Sequence, residues 1–334
     1  MNKTILLISD NLPDQINGVV TTFRNLTRVA QLDDHEIISI NPSHFPHRDC
    51  PGYPEVKLSW PSRIGQMIQG TAPDHIHIAT EGPLGLAARL WCDWHGYHYN
   101  TSYHTKFPEF LHKIYRVPTW MTYAYLRWFH KHSGRVLATT DTMVQELRSH
   151  GFQGELVAWS RGVDRNIFHA GLRGTTIAGR PILLCVSRVS REKGLDDFCQ
   201  LDWPGATKLL VGDGPYLDEL KQKYSDQVIF VGAKTGPELG SYYANADVFV
   251  FPSRNDTFGV VNIEAIACGT PVAAYPVPGP IDIIEPGING SMHEDLITAC
   301  QACLALSRDQ VLASADKWTW ERCWQIFKQN LVPL

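Results

Sequence analysis

The chain has 334 residues, of which 44 % are hydrophobic and 19 % are charged. Its length predicts about two domains, and its composition excludes wholesale disorder. No apolar run reaches the roughly 18 residues of a membrane-spanning helix. The first ten residues predict a buried strand rather than a signal peptide, because their apolar stretch is short and no small-residue cleavage site follows it.

The charge is divided unevenly along the chain. Residues 1–170 carry 16 basic and 15 acidic residues, whereas the rest of the chain carries 14 and 19. Thirteen of the 14 histidines also lie in the first half. This asymmetry predicts two domains with different roles, and neither half has the basic excess of a nucleic-acid-binding protein.

The eight cysteines are scattered along the chain, which predicts reduced thiols and a cytoplasmic location. Cys300 and Cys303 form the only close pair in the sequence. Because no second pair or nearby histidine accompanies them, they indicate the buried face of a helix rather than a zinc site.

Short apolar runs alternate with segments of helical periodicity in both halves. In the first half, strands are predicted over 5–9, 36–40, 75–79, 98–102 and 136–139, and helices over 19–30, 83–95 and 142–150. In the second half, strands are predicted over 182–186, 208–211, 228–231, 248–251 and 272–274, and helices over 195–199, 216–223, 237–245, 260–267 and 294–306. Such alternation indicates βαβ units and parallel sheets.

The predicted fold is α/β, with two doubly wound, Rossmann-like domains that face each other across a cleft. The first domain covers 1–165 and the second covers 180–315, and the Gly-rich, polar stretch 162–179 predicts the linker. Residues 316–334 predict a C-terminal helix that packs back toward the first domain, because their aromatic residues recur at helical spacing. Ligands of such sheets bind at the carboxyl ends of the strands.

A polar loop and a helix follow the buried strand that ends at Phe251. The backbone N–H groups of Phe258, Gly259 and Val260 at the start of this helix predict an anion site suited to a phosphate group. Asp256 lies just before this site and Glu264 lies eight residues after Asp256. Since carboxylates accept hydrogen bonds from sugar hydroxyls, the segment predicts a nucleotide-sugar site.

A second cluster follows the strand that ends at Val186. Its loop carries Arg188 and Lys193, two cations that can neutralise a diphosphate and stabilise it as it leaves. The sequence contains no Asp-x-Asp motif. These features predict a diphosphate held by the two side chains, with no metal and no other cofactor.

Strand ends in the first half contribute further candidates. Gly18 follows the first strand and allows close approach of its backbone to a ligand. His104 follows the strand at 98–102 and is predicted to hydrogen-bond the transferred sugar or the acceptor hydroxyl. Lys106 and Glu81 lie on loops expected to line the same cleft.

The segment 251–272 resembles the acidic-x7-Glu signature of the family-4 (group 1) retaining glycosyltransferases of the GT-B fold. Asp256 stands where the first acidic residue is usually Glu. The resemblance covers nearly the whole chain. It is greatest to the subgroup of diacylglycerol glycosyltransferases, sulfoquinovosyl-diacylglycerol synthases and GDP-mannose-dependent mannosyltransferases.

The resemblance implies transfer of a hexosyl group from a nucleoside diphosphate sugar, of the UDP-glucose type or GDP-mannose, by a front-face mechanism in which the leaving phosphate helps to deprotonate the acceptor. It implies that Arg188 and Lys193 hold the donor phosphates and that Gly18 lies near them. The predicted catalytic residues are His104, Arg188, Lys193 and Asp256. The predicted donor-binding residues are Gly18, Arg188, Lys193, Asp256, Thr257, Phe258, Gly259, Val260 and Glu264.

The segment 113–135 is both aromatic and basic, and 106–135 holds six Lys or Arg and one Glu. Such a helix suits the headgroup layer of an anionic membrane, although a core helix whose aromatic residues face the sheet has the same composition. The resemblance favours a lipid acceptor, diacylglycerol, and a protein bound peripherally at the inner face of the membrane. The predicted acceptor and membrane residues are Lys106, Trp120, Arg127, Trp128 and Lys131.

The sequence leaves three alternatives open. The same chemistry could serve a soluble glycan or protein acceptor. A sugar epimerase shares the architecture without the acidic-x7-Glu context. A non-catalytic sugar-nucleotide binding protein would lack both transfer and donor hydrolysis.

Overall fold

The computed structural model describes residues 3–15, 17–50, 53–174 and 180–334. The chain divides into two compact units, one comprising Met1–Arg161 with Trp320–Leu334 and the other Gly162–Thr319. The end of the predicted linker, 175–179, lies outside the described residues. Among the described residues, no helix combines the length and hydropathy needed to cross a membrane.

The first unit is built on six parallel strands in the order β2-β1-β5-β6-β7-β8. Its strands are β1 Lys3–Ile8, β2 His35–Ile40, β3 His47–Cys50, β4 Tyr53–Ser59, β5 His75–Ile78, β6 Asn100–Tyr103, β7 Val136–Ala138 and β8 Leu156–Ala158. Its helices are α1 Gly18–Leu32, α2 Ile64–Thr71, α3 Pro83–His95, α4 Phe107–Tyr115, α5 Thr119–His130 and α6 Asp141–Ser149. The strands β3 and β4 form a separate antiparallel pair.

The second unit repeats this plan with six parallel strands in the order β11-β10-β9-β12-β13-β14. Its strands are β9 Ile182–Val186, β10 Thr207–Val211, β11 Ile229–Gly232, β12 Val248–Phe251, β13 Val272–Ala274 and β14 Gly290–Met292. Its helices are α7 Leu195–Cys199, α8 Leu217–Tyr224, α9 Gly236–Asn245, α10 Val260–Ala267, α11 Pro280–Ile283, α12 Leu296–Leu304 and α13 Arg308–Ser314. The central strands are buried along their whole length, which explains their continuous apolar runs.

The last helix, α14 Trp320–Gln329, returns to the first unit and packs on α1. The indole of Trp324 donates to Asp33 Oδ2 at 2.7 Å, and the indole of Trp159 donates to the carbonyl of Cys323 at 3.0 Å. Buried Trp and Phe side chains of α14 therefore complete the core on one face of the first sheet.

All eight cysteines lie in the described parts of the chain, and none of them forms a disulfide. Cys300 and Cys303 lie buried on α12, where the thiol of Cys303 contacts the carbonyl of Val272. Both side chains pack in a helix core, as the sequence predicted.

The predicted fold class is confirmed, but several elements differ from the predicted ones, including the strands β3 and β4 and the helices α2, α11 and α13, which were not predicted. The stretch 113–135 is not one helix, because the chain turns at Arg116, whose φ of 57° ends α4, before α5 begins at Thr119. The short strands β8 and β14, at the edges of the two sheets, were not predicted.

Candidate functional site

The strand order of each sheet reverses at one point. In the second unit this point lies between β9 and β12, which are neighbours in the sheet although two strands separate them in the chain. Ligands of open parallel sheets bind at the carboxyl ends of the strands at such a switch point. Arg188 and Lys193 follow β9, and Asp256 follows β12.

Gly194 allows the two loops at this switch point to approach closely. Its φ is +65°, and a Cβ atom at this position would lie 2.5 Å from the carbonyl oxygen of Pro252. A side chain would therefore be both strained and sterically blocked. The approach brings Lys193 Nζ to 2.7 Å from Asp256 Oδ1.

Burial and nearby cations act in opposite directions on the pKa of Asp256. Burial raises the pKa of this carboxyl, but the Lys193 ammonium, with a smaller effect of Arg188, holds the pKa below its ordinary value. The second oxygen, Oδ2, is buried and has no hydrogen-bond partner among the described residues. Asp256 is thus an ionised acceptor with one oxygen that a ligand hydroxyl could use.

Arg188 is also held by a carboxylate. Its guanidinium pairs with Glu192, which in turn accepts a hydrogen bond from Ser190 Oγ at 2.6 Å. The side chain of Arg188 is exposed. The two predicted phosphate-binding cations therefore belong to ion pairs, one with Glu192 and one with Asp256.

The loop before α10 has its side chains turned into the core. Phe258 is buried and packs edge-on against Trp318, with ring centroids 5.6 Å apart, and Thr257 is buried as well. Gly259, the residue before α10, has a φ of +81°. Gly259 and the first residue of α10, Val260, are only partly buried. This loop can therefore offer a ligand backbone N–H groups rather than the Phe258 ring.

Glu264 lies further along the same helix and is half-buried. Tyr243 on α9 donates a hydrogen bond to Glu264 Oε2 at 2.9 Å. Burial raises the pKa of Glu264 to about 7, even though the Tyr243 hydrogen bond lowers it. The carboxyl group of Glu264 therefore changes its charge close to neutral pH.

The switch point of the first sheet lies between β1 and β5. Asp10, just after β1, accepts hydrogen bonds from Thr80 Oγ1 at 2.7 Å and from the backbone N–H of Leu84 at 2.8 Å. Burial raises the pKa of Asp10 to about 6 despite these bonds. Asp10 therefore anchors the start of α3. Gly18 is the first residue of α1, and a Cβ atom added to Gly18 would meet no other atom within 4 Å.

The ring of His104 is engaged within the protein, and its predicted contact with a sugar or an acceptor hydroxyl stays a prediction. Its Nδ1 lies 2.9 Å from Arg161 Nη2, and its Nε2 lies 2.8 Å from Ser102 Oγ. Because guanidinium only donates, Nδ1 is the acceptor, and Nε2 carries the proton. Burial and the Arg161 charge hold the pKa of His104 well below its ordinary value, so the ring is neutral and engaged within the protein.

Lys106 is held in an ion pair inside the first unit. Its ammonium pairs with Glu146 Oε2 at 2.8 Å, and only a tenth of its side chain is exposed. The predicted contact of Lys106 with an acceptor or a membrane stays a prediction.

The other four residues predicted to meet a membrane are exposed on α5 or at its end: Trp120, Arg127, Trp128 and Lys131. The opposite face of α5 is buried in the core. The helix therefore combines the two predicted alternatives, with a core face and an exposed aromatic and basic face.

Sequence reasoning missed the partners that hold these groups. Tyr243 and Arg161 carry no local motif, and only the tertiary structure brings them to Glu264 and His104. Glu192 lies only four residues after Arg188, so this pairing is local. Asp10 did have a local signal, since it is a charged residue directly after an apolar strand. Within the described ranges, no group of three or more His, Cys, Asp or Glu side chains could hold a metal ion.

Two doubly wound units with polar strand ends at their switch points define an α/β enzyme of the GT-B architecture. Residues 180–309 match the glycosyl transferases group 1 profile, and residues 16–166 match the Glycosyltransferase Family 4 profile. The chain belongs to this family and is a glycosyltransferase.

Curated relatives align over most of the chain. A GDP-mannose-dependent alpha-mannosyltransferase of Corynebacterium glutamicum is 27 % identical, over 98 % of this chain and 87 % of that protein. The sulfoquinovosyl transferase SQD2 of Arabidopsis thaliana is 29 % identical, over 80 % of this chain and 58 % of that protein. The alpha-monoglucosyldiacylglycerol synthase of Streptococcus pneumoniae is 24 % identical, over 86 % of this chain and 74 % of that protein.

Solved structures show the same fold. Sucrose-phosphate synthase from Thermosynechococcus elongatus superimposes with a TM-score of 0.75 at 20 % identity, over 98 % of both chains. Anabaena HepE in complex with UDP-glucose superimposes with a TM-score of 0.73 at 16 % identity, over 98 % of this chain and 99 % of that chain.

Proposed function

We propose that this glycosyltransferase transfers a hexosyl group, with retention of anomeric configuration, from a nucleoside diphosphate sugar to diacylglycerol at an anionic membrane surface. The observation that carries the donor half of this proposal is the switch point of the second sheet. There, two cations after β9 lie beside a carboxylate after β12, and the start of α10 follows. The names of the mannosyltransferase and diacylglycerol glycosyltransferase relatives support a hexosyl donor and a lipid acceptor.

In this proposal the donor diphosphate binds between Lys193, Arg188 and the backbone N–H groups at the start of α10. The charges of Lys193 and Arg188 stabilise the diphosphate as negative charge develops on it. Asp256 accepts a hydrogen bond from a hydroxyl of the transferred sugar through Oδ2, and Glu264 accepts hydrogen bonds from the ribose hydroxyls. Binding energy of this kind holds the anomeric carbon where an acceptor oxygen can attack.

The acceptor attacks from the face that the diphosphate leaves. The leaving phosphate oxygen takes the acceptor proton, so no nucleophilic side chain is required. The His104 ring has no direct part in this step, because its two nitrogens bind Arg161 and Ser102. We assign His104 to the support of the loop after β6.

The exposed face of α5 supports a membrane-bound acceptor. Arg89 of α3 stacks its guanidinium on the ring of Trp128 at 3.9 Å, so α3 lies beside this face. Leu90 and Trp94 are the large exposed apolar side chains of α3. Tryptophan rings with arginine and lysine are typical of surfaces that enter the headgroup layer of anionic membranes. We therefore place the enzyme peripherally at the inner, cytoplasmic face of a membrane.

Product identification tests this function directly. The purified protein is incubated with UDP-glucose or GDP-mannose and with vesicles of anionic phospholipid containing diacylglycerol, and the lipids are analysed by mass spectrometry. We expect a diacylglycerol hexoside with one of the two donors, and no product from the Asp256→Asn variant. Transfer only to a soluble glycan would refute the lipid acceptor, and donor turnover without any glycosylated product would refute transfer.

The same assay tests whether the reaction requires a metal. Because the sequence contains no Asp-x-Asp and Arg188 and Lys193 are positioned to hold the diphosphate, we expect most transfer activity to survive exhaustive chelation by EDTA. Activity that is lost on chelation and restored by Mg²⁺ or Mn²⁺ would show that the diphosphate is held through a metal.

A further inference from the structure

The phenol of Tyr243 is a buried group that the proposed reaction does not use. Its side chain is fully buried on α9, and its hydroxyl donates to Glu264 Oε2 at 2.9 Å. The ring packs edge-on against Phe249 at 5.4 Å and against Phe168 at 5.9 Å. Its backbone carbonyl accepts a hydrogen bond from Thr270 Oγ1 at 2.6 Å. The hydroxyl is therefore fixed in place by the core around it.

Only one oxygen of Glu264 is engaged in this way. Among the described residues, no hydrogen bond reaches its second oxygen, Oε1. A hydrogen bond that fixes Oε2 also orients Oε1, because the two oxygens share one plane. The oriented oxygen is the acceptor that a ribose hydroxyl would meet.

We propose that Tyr243 is a positioning residue for nucleotide-sugar binding, which directs Glu264 toward the donor and favours its ionised form. This inference rests on the proposed function, in which Glu264 accepts hydroxyls of the donor ribose. Tyr243 itself does not contact the donor.

The charge balance around Glu264 supports this role. Burial raises the pKa of Glu264 to about 7, and the Tyr243 hydrogen bond opposes that rise. The pKa of the Tyr243 hydroxyl is itself raised well above its ordinary value by burial and by Glu264. The hydroxyl therefore stays protonated and keeps donating its hydrogen bond to Glu264. The other titratable or charged groups on elements packed around α9 and α10 are Cys185, Cys268, Asp282, Arg308, Asp309, Asp316 and Lys317.

None of these other groups donates a hydrogen bond to the carboxyl group of Glu264 in place of Tyr243. The thiol pKa values of Cys185 and Cys268 are raised by burial, to about 12 for Cys268, so both are neutral near pH 7. Arg308 donates to the carbonyls of Ala244 and Ala246. Asp316 pairs with Arg165, and no hydrogen bond joins any of these groups to Glu264.

The Tyr243→Phe variant removes one hydroxyl and keeps the packing of the ring. Without the hydrogen bond from the Tyr243 hydroxyl, the pKa of Glu264 rises, and its carboxyl group becomes protonated at a higher pH. We expect the pH at which donor affinity declines to move up by about one pH unit, the size expected for one hydrogen bond to a charged group. A rise of about one unit from a pKa of about 7 lowers the ionised fraction of Glu264 about fivefold at pH 7 and less than twofold at pH 8.5. The affinity for the nucleotide-sugar falls by the same factors.

The measurement is isothermal titration calorimetry with UDP-glucose and with GDP-mannose from pH 5.5 to 8.5. These diphosphate diesters do not titrate in that range, so a pH dependence belongs to the protein. The carboxyl ¹³C resonance of Glu264, assigned by its loss in Glu264→Gln, is followed over the same range in the free protein. The matched control is Tyr242→Phe, which removes the hydroxyl of the adjacent tyrosine on α9 and is expected to leave both curves unchanged.

The outcomes separate this inference from the proposed function. If Tyr243→Phe gives the wild-type pH curve, or an affinity loss equal at every pH with an unmoved ¹³C midpoint, the inference is wrong. If Glu264→Gln binds both donors as the wild type does, Glu264 is not a donor contact and the proposed function of that residue fails. A higher midpoint in Tyr243→Phe, together with weaker and pH-independent binding by Glu264→Gln, supports both.

Discussion

The Lys193→Ala variant is expected to lose at least about 100-fold in the rate of sugar transfer, since a charged donor acting on a leaving group contributes about 3 kcal/mol. Lys193 reaches the carboxyl ends of both β9 and β12, because its ammonium lies 2.7 Å from Asp256 Oδ1. In the proposed reaction it stabilises the diphosphate as the glycosidic bond breaks. The loss is measured as kcat and as KM for the donor, and we expect kcat to carry most of it.

The same turn of chain provides a matched control for this variant. Arg191 precedes Lys193 by two residues, but its side chain is mostly exposed and pairs with Glu219. We expect Arg191→Ala to keep transfer within about twofold of the wild-type rate, as is usual for an exposed ion pair. Near-normal transfer by Lys193→Ala would mean that the diphosphate binds elsewhere.

A structural side effect of Lys193→Ala can be separated from its chemical effect. Removing Lys193 leaves the Asp256 carboxylate without its ion-pair partner, which costs stability. Lys193→Gln removes the positive charge but keeps a hydrogen-bond donor that can reach Asp256. If the lost rate came from a disturbed loop, Lys193→Gln would recover it, whereas a missing cation predicts that Lys193→Gln stays as inactive as Lys193→Ala.

The sequence was sufficient to predict the central strands of both sheets. Ile182–Val186 and Val248–Phe251 have the bounds that their apolar runs predicted, because strands buried on both faces must be apolar throughout. The edge strands Leu156–Ala158 and Gly290–Met292 have three residues each, too few to show a pattern. The turn at Arg116 also lacks a clear signal, because a residue other than glycine adopts the left-handed conformation there.

The candidate site was predictable to the extent that its residues follow strands. Loops after β9 and β12 must converge at the switch point of the sheet, so the proximity of Lys193 and Asp256 follows from the order of the elements. The partners of Glu264 and His104 do not follow from it. Tyr243 lies 21 residues from Glu264 and Arg161 lies 57 residues from His104, and only the packing of the helices decides that these side chains meet.

Reversing the charge of two residues on α5 is expected to release the protein from anionic vesicles. Arg127 and Lys131 are exposed on the same side of the helix as Trp120, and each basic residue near an anionic surface contributes about 1 kcal/mol. Arg127→Glu with Lys131→Glu removes two attractions and adds two repulsions, so we expect vesicle binding to fall by at least about 100-fold at low salt. Binding is measured by sedimentation with vesicles of neutral and of anionic phospholipid.

The aromatic side chain on this face should act differently from the charges. Trp120 is 69 % exposed, and its transfer into the headgroup layer is apolar and unaffected by screening. We expect Trp120→Ala to weaken binding several-fold at every salt concentration, whereas the effect of the charge reversal shrinks as salt rises. Lys221→Glu with Arg173→Glu, an equal change of charge at exposed positions of the other unit, should leave vesicle binding close to that of the wild type.

Donor hydrolysis separates loss of membrane binding from loss of the site. Residues 127 and 131 lie on and just after α5 of the first unit, whereas the proposed phosphate-binding cations follow β9 of the second. The charge-reversed variant should therefore hydrolyse the nucleotide-sugar, or glycosylate a soluble acceptor analogue, at the wild-type rate while losing transfer to vesicle-borne diacylglycerol. If the charge-reversed variant bound anionic vesicles as well as the wild type does, the exposed face of α5 would not be a membrane surface. The lipid acceptor would then depend on the relatives alone, and a soluble glycan would become the better candidate.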